Sequence, residues 1–346
     1  MSDAHIALYR KYRPTTFYEV RGQDHVVKAL EGAIQKKTIP HALLFTGSRG
    51  VGKTSIARIF AREIGTDPLD IYEIDAASNR GIDDIRELRD AVLTSPYKSE
   101  KKVYIIDEVH MLTKEAFNAF LKTLEEPPAH VVFILATTEA DKLLDTIISR
   151  CQVFNFIAPT RELLREAVLS ASKEEKFKIE NDGADLIAVS ADGSYRDAYG
   201  VLERIIMASG DNGASSDEVA EIIGAPKGQS LMDIVDALHR KDAEGALGAL
   251  RKIAEQNIDM KLFVRLLLER VRAVMLIRHS PKDAELLLAQ FRPEDQDTLR
   301  TLAKDAKSPI NSALLMRLLE AADQTGRTNI STLPLEVAIV DVCQKM

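Results

Sequence analysis

The chain has 346 residues, of which 45% are hydrophobic and 29% are charged. This is the composition of a globular protein, with enough residues for two or three domains of roughly 100–200 residues each. No run of about 18 uncharged apolar residues occurs and the N-terminus has no apolar core, so we expect neither a membrane-spanning helix nor a signal peptide. The two cysteines, Cys151 and Cys343, are too few for a disulfide framework or a four-thiolate zinc site. We therefore expect a cytoplasmic protein whose thiols stay reduced.

The net charge of −7 is unevenly distributed along the chain. Residues 1–60 contain ten Lys and Arg and four Asp and Glu, a balance of +6, which leaves −13 for the rest. The acidic total argues against a uniformly basic DNA-binding surface, whereas the asymmetry predicts an anion site near the N-terminus. The alternative is that Arg10, Lys11 and Arg13 are ordinary solvated charges.

The first part of the chain alternates between predicted strands and predicted helices. Several short runs are apolar nearly throughout, as in strands buried on both faces of a parallel sheet. Between two of them, Thr113 can cap an amphipathic helix that ends before Pro127 and Pro128. This alternation predicts an open α/β sheet with ligands at the carboxyl ends of its strands. The predicted strands are 41–46, 71–75, 103–107, 131–138 and 153–157.

After Pro159 the strand signals largely stop and helical patterns follow. Helices are predicted at 161–173, 183–190, 195–208 and 216–223, then at 260–279 and 310–325. Residues 224–228 (GAPKG) have the composition of a linker. We therefore predict three domains: an α/β domain at 1–158, a small helical domain at 159–225 and an all-helical domain at 226–346.

A glycine-rich segment follows the first predicted strand and opens a predicted helix. It matches the pattern G-x-x-x-x-G-K-[ST], whose backbone N–H groups wrap the phosphates of a nucleoside triphosphate, most commonly ATP. Within it, Lys53 would reach the β- and γ-phosphates, and the Thr54 hydroxyl would hold Mg²⁺. The segment consists of Gly47, Ser48, Arg49, Gly50, Val51, Gly52, Lys53 and Thr54.

A second motif is the hydrophobic strand 103–108 (VYIIDE), which ends in two acids. Asp107 is placed to bind Mg²⁺ through water, as the second acidic motif of P-loop enzymes does. Glu108 can act as the general base that polarises the attacking water. Two acids at a strand end can also cap a helix or face solvent, but beside a phosphate-binding loop they indicate hydrolysis.

Three further positions carry polar groups that suit phosphoryl transfer. Thr137 or Thr138, at the end of a predicted strand, could hydrogen-bond the γ-phosphate or the water. Arg150 could stabilise transition-state charge, and more plausibly on a neighbouring subunit, because other residues serve its own P-loop. Arg196, at the start of a helix in the second domain, could contact the γ-phosphate across the domain boundary. For each of these residues an ordinary structural role is an equally good explanation.

Together these motifs resemble the AAA+ clamp-loader ATPases, and most closely the bacterial gamma/tau type within that family. The resemblance runs in family order over residues 6–200, while the C-terminal third matches only in its helical pattern. Besides the P-loop, it rests on YRKYRP (9–14), GQ (22–23), IDAAS (74–78), IDEVHML (106–112), LKTLEEPP (121–128), LATT (135–138), SRC (149–151) and GSYRDA (193–198).

The resemblance implies an AAA+ domain with a five-stranded parallel sheet, a helical lid domain and an all-α collar domain. By position, Lys53 and Thr54 are the phosphate and magnesium contacts, and Asp107 and Glu108 are the two acids of the ATPase motif. No zinc is expected among the cofactors, which would be ATP and Mg²⁺. The segment that lines the nucleotide base corresponds to Tyr9, Arg10, Tyr12, Pro14 and Val20.

The family pattern also implies residues that respond to the γ-phosphate. Thr138 corresponds to sensor 1, with Thr137 as the second choice. Arg150 corresponds to an arginine finger that reaches the next subunit's ATP. Arg196 corresponds to sensor 2.

The function implied is that of an ATP-hydrolysing motor subunit of the DNA polymerase III clamp loader. In this family a ring of five subunits, held by the collar, opens a sliding clamp and places it on primer–template DNA. Contact with DNA would be through backbone phosphates, hence independent of sequence and sensitive to salt. Arg80, Lys98, Lys101 and Lys102 are candidates for it, although each is more readily explained as a surface charge. A membrane partner is not expected.

The chain departs from the family pattern in two respects. The family usually carries a four-cysteine zinc module after the P-loop helix, whereas residues 65–70 here (GTDPLD) contain no cysteine. This casts doubt on any partner contact made by that module, not on ATPase activity. The chain also ends where the collar should end, which suggests either a natural short form or a truncated one.

Two other function classes compete with this interpretation. A non-catalytic structural subunit such as delta-prime would not need Lys53, Thr54 and Glu108. A DNA-translocating AAA+ ATPase of the branch-migration helicase type typically ends in a winged-helix domain, and residues 226–346 show no strand pair for a wing. The archaeal and eukaryotic small loader subunit is the nearest relative to exclude, and 124–128 with 136–138 favour the bacterial branch.

Overall fold

The computed structural model describes residues 6–79, 81–210, 212–256, 258–288, 290–305 and 308–344. The chain divides into two units, Met1–Gly213 and Ala214–Met346. The predicted boundaries at 158 and 225 differ from this division, and the three-domain description remains a prediction.

The first unit is built on a parallel sheet of five strands in the order β2-β3-β4-β1-β5. The central strands are buried along almost their whole length, which explains why their sequences are apolar throughout. This confirms the predicted α/β class. The strands are β1 (Ala42–Thr46), β2 (Ile71–Asp75), β3 (Lys102–Asp107), β4 (Val131–Thr137) and β5 (Gln152–Asn155).

Helices cover both faces of this sheet. One apolar cluster contains Phe117, Phe120 and Tyr104, and the other contains Phe45 and Phe60. The helices of the first unit are α1 (Leu8–Lys11), α2 (Asp24–Gln35), α3 (Lys53–Glu63), α4 (Ile82–Val92), α5 (Lys114–Glu125), α6 (Asp145–Ile148), α7 (Arg161–Glu174), α8 (Asn181–Ser190) and α9 (Tyr195–Ala208). A two-residue strand, β6 (Lys178–Ile179), lies between α7 and α8.

Strand register brings polar side chains together at one edge of the sheet. Asp107 lies opposite Asp75, and Thr46 lies between Thr137 and Asn155. All of these residues end their strands, so the carboxyl edge of the sheet collects hydroxyl and carboxylate groups. This is where ligands bind in open parallel sheets.

The buried Gln23 fixes the end of the sheet to the segment that precedes α2. Its side-chain amide donates to the carbonyl of Ile157 at 2.7 Å and accepts from the Ile157 N–H at 3.2 Å. Because the side chain is fully buried, both bonds are needed to satisfy it. This pairing explains structurally the Gly-Gln motif at 22–23.

Asp70 organises the short connection between α3 and β2, where the family's zinc module would lie. The side chain is fully buried and accepts hydrogen bonds from the N–H groups of Tyr97, Lys98 and Ser99. Burial disfavours the charged carboxylate, but the three N–H donors outweigh it and lower the pKa of Asp70 to about 2.

The structure corrects one of the candidate DNA contacts. Lys102 is only 3% exposed, and its ammonium donates to the carbonyls of Ala91 and Thr94 near the end of α4 while lying over the Tyr72 ring. It therefore cannot reach a DNA phosphate. Lys98 is exposed, whereas Lys101 is half-buried and its ammonium donates to the carbonyl of Ala129 at 2.7 Å. Arg80 lies outside the described residues.

The second unit is helical within its described residues, apart from Ala214 at the end of the two-residue strand β7 (Gly213–Ala214). Arg278 donates to the carbonyls of Leu302, Ala303 and Ile310. These bonds join the helix Met260–His279 to the end of the helix Pro293–Lys304 and to the segment that follows it. No described helix of the chain is long and apolar enough to cross a membrane. The helices are α10 (Ser216–Ile223), α11 (Gly228–His239), α12 (Ala243–Ala254), α13 (Met260–His279), α14 (Pro281–Leu288), α15 (Pro293–Lys304), α16 (Ser312–Gln324) and α17 (Leu333–Gln344).

Candidate nucleotide-binding site

The predicted P-loop connects β1 to α3, as the motif requires. Gly50 and Gly52 have φ angles of 76° and 106°, which a residue with a side chain adopts only under strain. Gly52 also precedes the first turn of α3, so the free N–H groups of that turn face the loop. Backbone donors and the helix N-terminus together favour a bound phosphate.

Lys53, the first residue of α3, has only 6% of its surface exposed because its side chain folds back into this loop. Its ammonium donates to the carbonyl oxygens of Gly47 at 2.7 Å and Ser48 at 2.8 Å. Burial lowers the pKa of Lys53 and nearby Arg196 adds to the effect, whereas the carboxylates of Glu108 and Asp107 oppose it. Among the described residues the ammonium is hydrogen-bonded only to neutral carbonyl oxygens, and a bound phosphate would place a negative charge in direct contact with it.

Thr54 and Asp107 face each other across the loop. The Thr54 hydroxyl donates to Asp107 Oδ2 at 2.9 Å. A hydroxyl and a carboxylate at the end of a buried strand are oxygen donors of the kind that Mg²⁺ prefers. These two side chains therefore fit a magnesium ion that accompanies a bound nucleotide.

Glu108 follows Asp107 in a left-handed conformation, with a φ angle of 49°. Its Oε2 accepts hydrogen bonds from the Thr138 hydroxyl at 2.9 Å and from the Thr138 N–H at 3.2 Å. Thr137 instead contacts His110, through a 2.8 Å hydrogen bond from its hydroxyl oxygen to the imidazole Nδ1. Of the two candidate threonines, Thr138 is thus the one that bonds to Glu108.

A cavity of about 540 Å³ opens beside the P-loop. The P-loop, the two acids, the N-terminal segment and helices α7 and α9 all contribute to its walls. Of the predicted site residues, those in its lining are Tyr9, Tyr12, Pro14, Arg49, Gly50, Val51, Gly52, Lys53, Thr54, Asp107, Glu108 and Arg196. Those outside the lining are Arg10, Val20, Gly47, Ser48, Thr138 and Arg150.

Tyr12 joins the N-terminal segment to α7. Its hydroxyl donates to Glu175 Oε1 at 2.5 Å, and its ring lies 5.5 Å from the Tyr199 ring. Burial and this hydrogen bond to a carboxylate raise the pKa of Tyr12 well above its usual range. Tyr12 and Tyr199 thus add aromatic rings and polar groups to the wall of the cavity, which suits a purine base.

Arg196 approaches the P-loop from α9. Its guanidinium lies over the Tyr9 ring, 5.7 Å from the ring centroid. Tyr195 and Tyr199 also line the cavity but were not predicted, because helical periodicity does not show which face of α9 meets the loop. The GSYRDA motif, which contains Tyr195, is the part of the sequence that could have indicated this face.

Arg150 lies elsewhere on the first unit. Its guanidinium donates to Glu125 Oε1 at 2.6 Å and to the carbonyl of Thr146 at 2.7 Å. About a third of the side chain is exposed. The structure does not bring Arg150 to the P-loop of its own chain.

Comparison with known proteins relates the chain to DNA polymerase III. A family model described as "DNA polymerase III, delta subunit" matches residues 67–160, and one described as "DNA polymerase III subunits gamma and tau domain III" matches residues 214–345. Among solved structures, the Holliday junction branch migration motor RuvB of Thermotoga maritima has a TM-score of 0.53 at 23% identity, over 66% of this chain and 80% of that one. At this identity the similarity shows the fold alone.

Full-length relatives give the stronger similarity. DNA polymerase III subunit tau of Bacillus subtilis is 37% identical over 98% of this chain and 63% of its own length. The subunit tau of Escherichia coli is 37% identical over 79% of this chain and 46% of its own length. The chain thus spans less than two thirds of each of these relatives. The family resemblance inferred from the motifs is confirmed, and the chain belongs to the gamma/tau family of DNA polymerase III subunits.

Proposed function

We propose that this chain is an ATP-hydrolysing motor subunit of a DNA polymerase III clamp loader. The observation that carries the proposal is the grouping of Lys53, Thr54, Asp107 and Glu108 at one end of the parallel sheet, on the walls of a single cavity. A purely structural subunit would not need a general base beside two side chains that can bind Mg²⁺.

The residues of the site divide the work of phosphoryl transfer. Lys53 and the P-loop N–H groups would hold the phosphates, and Thr54 and Asp107 would hold Mg²⁺, which when bound would neutralise developing phosphate charge. Glu108 accepts a proton from the attacking water as the new P–O bond forms and the bond to the leaving diphosphate breaks. Thr138 keeps the Glu108 carboxylate oriented through its two hydrogen bonds.

The partners are the other subunits of a five-membered ring, the sliding clamp and primer–template DNA. This part of the proposal rests on family membership, together with the position of Arg150. Arg150 lies away from its own P-loop and is partly exposed, so it can reach a neighbouring subunit's ATP once it exchanges its ion pair with Glu125 for the phosphate. The second unit supplies the collar that holds the ring together.

An ATPase assay with the sliding clamp, primed DNA and the partner subunits tests the proposal. We expect turnover with the wild-type chain and its loss with Glu108→Gln, which keeps the shape of the side chain but cannot accept the proton. Native mass measurement with and without ATP should show a ring of five that binds the clamp only with nucleotide. If the complete mixture shows no Glu108-dependent turnover, the chain is a structural subunit instead.

A further inference from the structure

His110 is a buried polar residue that the chemistry described above does not use. It lies in the 3-10 helix Val109–Met111, directly after Glu108, and its side chain is only 5% exposed. Its imidazole contacts the segment that follows β4, with Nδ1 2.8 Å from Thr137 Oγ1 and Nε2 3.3 Å from Glu139 Oε1. The ring thus bridges the ends of β3 and β4.

Both ring nitrogens of His110 have polar partners in this bridge. Thr137 Oγ1 accepts a hydrogen bond from the Glu139 N–H at 3.0 Å and also bonds to His110 Nδ1. On the other side of the ring, Nε2 faces the Glu139 carboxylate. The Thr137–Glu139 segment is thus held to the ring at two points.

The bridge leads directly to the proposed general base. Thr138, between the two residues that His110 contacts, donates its hydroxyl and its N–H to Glu108 Oε2. His110 Nδ1 also lies 3.4 Å from this oxygen, so the imidazole packs against one side of the carboxylate. Within the described residues no hydrogen bond reaches Oε1, which leaves one carboxylate oxygen anchored and the other available to water.

We propose that His110 is a positioning residue for Glu108, acting by holding the Thr137–Glu139 segment against the end of β3. The inference rests on the proposed ATPase function, because Glu108 needs a fixed orientation only if it receives a proton. Any buried imidazole needs polar partners, so their presence alone does not indicate positioning. What indicates positioning is their place in the chain, because Thr137 and Glu139 flank Thr138, whose hydroxyl and N–H bind Glu108.

Two variants of nearly equal shape separate these roles. His110→Leu removes the polar atom at the position of Nδ1, whereas His110→Asn keeps one there within reach of the Thr137 hydroxyl. Amide hydrogen exchange in a peptide that contains Thr138 and Glu139 reports on the segment without any need for activity. We expect exchange about tenfold faster in His110→Leu, in line with the loss of one hydrogen bond, and close to wild type in His110→Asn.

Steady-state ATP hydrolysis by the assembled complex gives the second measurement. We expect His110→Leu to lower kcat by about tenfold while KM for ATP changes by less than about twofold, because a misplaced base affects the reaction more than binding. His110→Asn should recover most of kcat. Thr137→Val should reproduce the Leu effect, and the double variant should be no worse than either single one, because both remove the same contact.

The outcomes separate this inference from the proposed function. Equal exchange and equal kcat in the Leu variant and the wild type would overturn the positioning role. If His110→Leu and His110→Asn lose kcat equally, and both have a lowered melting temperature, His110 has a packing role instead. If wild-type turnover does not depend on Glu108, the proposed function fails, and the exchange experiment still decides whether His110 holds the segment.

Discussion

The backbone N–H of Tyr195 donates a 3.1 Å hydrogen bond to the carbonyl oxygen of Gly50. Gly50 lies in the middle of the P-loop, and Tyr195 is the first residue of α9. The loop proposed to hold phosphate and the helix that carries Arg196 are therefore joined by their backbones. A shift of the loop when nucleotide binds would be passed to α9 directly.

The close approach at Gly50 predicts that Gly50→Ala disrupts the site. A Cβ there would overlap Ser194 Oγ, and the φ angle of 76° adds strain of roughly 1–2 kcal/mol for a residue with a side chain. We expect ATP affinity to fall by at least about tenfold, measured by isothermal titration calorimetry.

Two further variants test the cause of this loss. Gly32→Ala is the control. A Cβ added at Gly32 would meet no side chain or non-neighbouring backbone atom within 4 Å, so this variant should bind ATP as the wild type does. Adding Ser194→Gly to Gly50→Ala removes the overlap but keeps the strain, so affinity should recover only in part. Wild-type affinity in Gly50→Ala alone would contradict the close approach of loop and helix.

Removal of the P-loop ammonium should abolish nucleotide binding. The Lys53 ammonium lies within the loop that we propose holds the phosphates, so Lys53→Ala loses its charge-assisted hydrogen bonds to them, worth about 1.5–3 kcal/mol each. Calorimetric titration with ATP and Mg²⁺ should show affinity lowered by about 100-fold or more. Lys36→Ala, on the exposed end of α2, should bind normally. Retained affinity in Lys53→Ala would refute the P-loop assignment.

The position of Arg150 predicts an effect that appears only after assembly. Because Arg150 lies away from its own cavity, Arg150→Ala should bind ATP as tightly as the wild type. Turnover in the ring should fall by about 10³-fold, as for other arginine fingers. Equal loss of activity in the isolated chain and in the ring would rule out action on a neighbour.

Mixed rings provide the sharper test of this role. A chain with Arg150→Ala keeps Glu108, and a chain with Glu108→Gln keeps Arg150. If Arg150 acts on the next subunit, a mixture of the two inactive chains should regain part of the wild-type turnover, since some interfaces contain both intact residues. A mixture that stays as inactive as its components would contradict the proposal.

The fold was predictable where the sequence pattern depends on local burial. Strand β3 was predicted at 103–107 and lies at Lys102–Asp107, because a parallel strand covered on both faces is apolar throughout. The prediction left out the first residue of the strand, Lys102, because a lysine is not expected in a buried strand. Its burial depends on tyrosine rings and on carbonyls at the end of α4, which no local pattern shows.

The site was predictable only as far as its motifs extend. The motifs and their flanking elements predict a site at Lys53, Thr54, Asp107 and Glu108, and the structure brings these residues to one cavity. His110 was not predicted as a site residue, because its partners lie 27 and 29 positions along the chain. Whether Thr137 or Thr138 contacts Glu108 could not be predicted for the same reason. Successive residues at the end of a strand point in different directions, and only the fold decides which of them faces Glu108.

Asp70 provides a prediction about stability that is independent of nucleotide. Its buried carboxylate accepts three backbone N–H bonds, so Asp70→Asn replaces one acceptor oxygen with a donor and leaves N–H groups without a partner. We expect the free energy of unfolding to fall by roughly 1–3 kcal/mol at pH 7, measured by urea denaturation. Asp83→Asn, whose side chain is 85% exposed, should have little effect.

The pH dependence of this difference follows from the lowered pKa. Folding lowers the pKa of Asp70 to about 2, compared with about 3.9 in the unfolded chain, so the folded state holds the proton less tightly. The contribution of the carboxylate to the free energy of unfolding is therefore present above about pH 4 and is lost as the pH falls towards 2. The difference in unfolding free energy between the wild type and Asp70→Asn should be constant from pH 7 to about 5 and should shrink below about pH 4. A difference that stays constant down to pH 3 would show that the three N–H groups do not select the charged form.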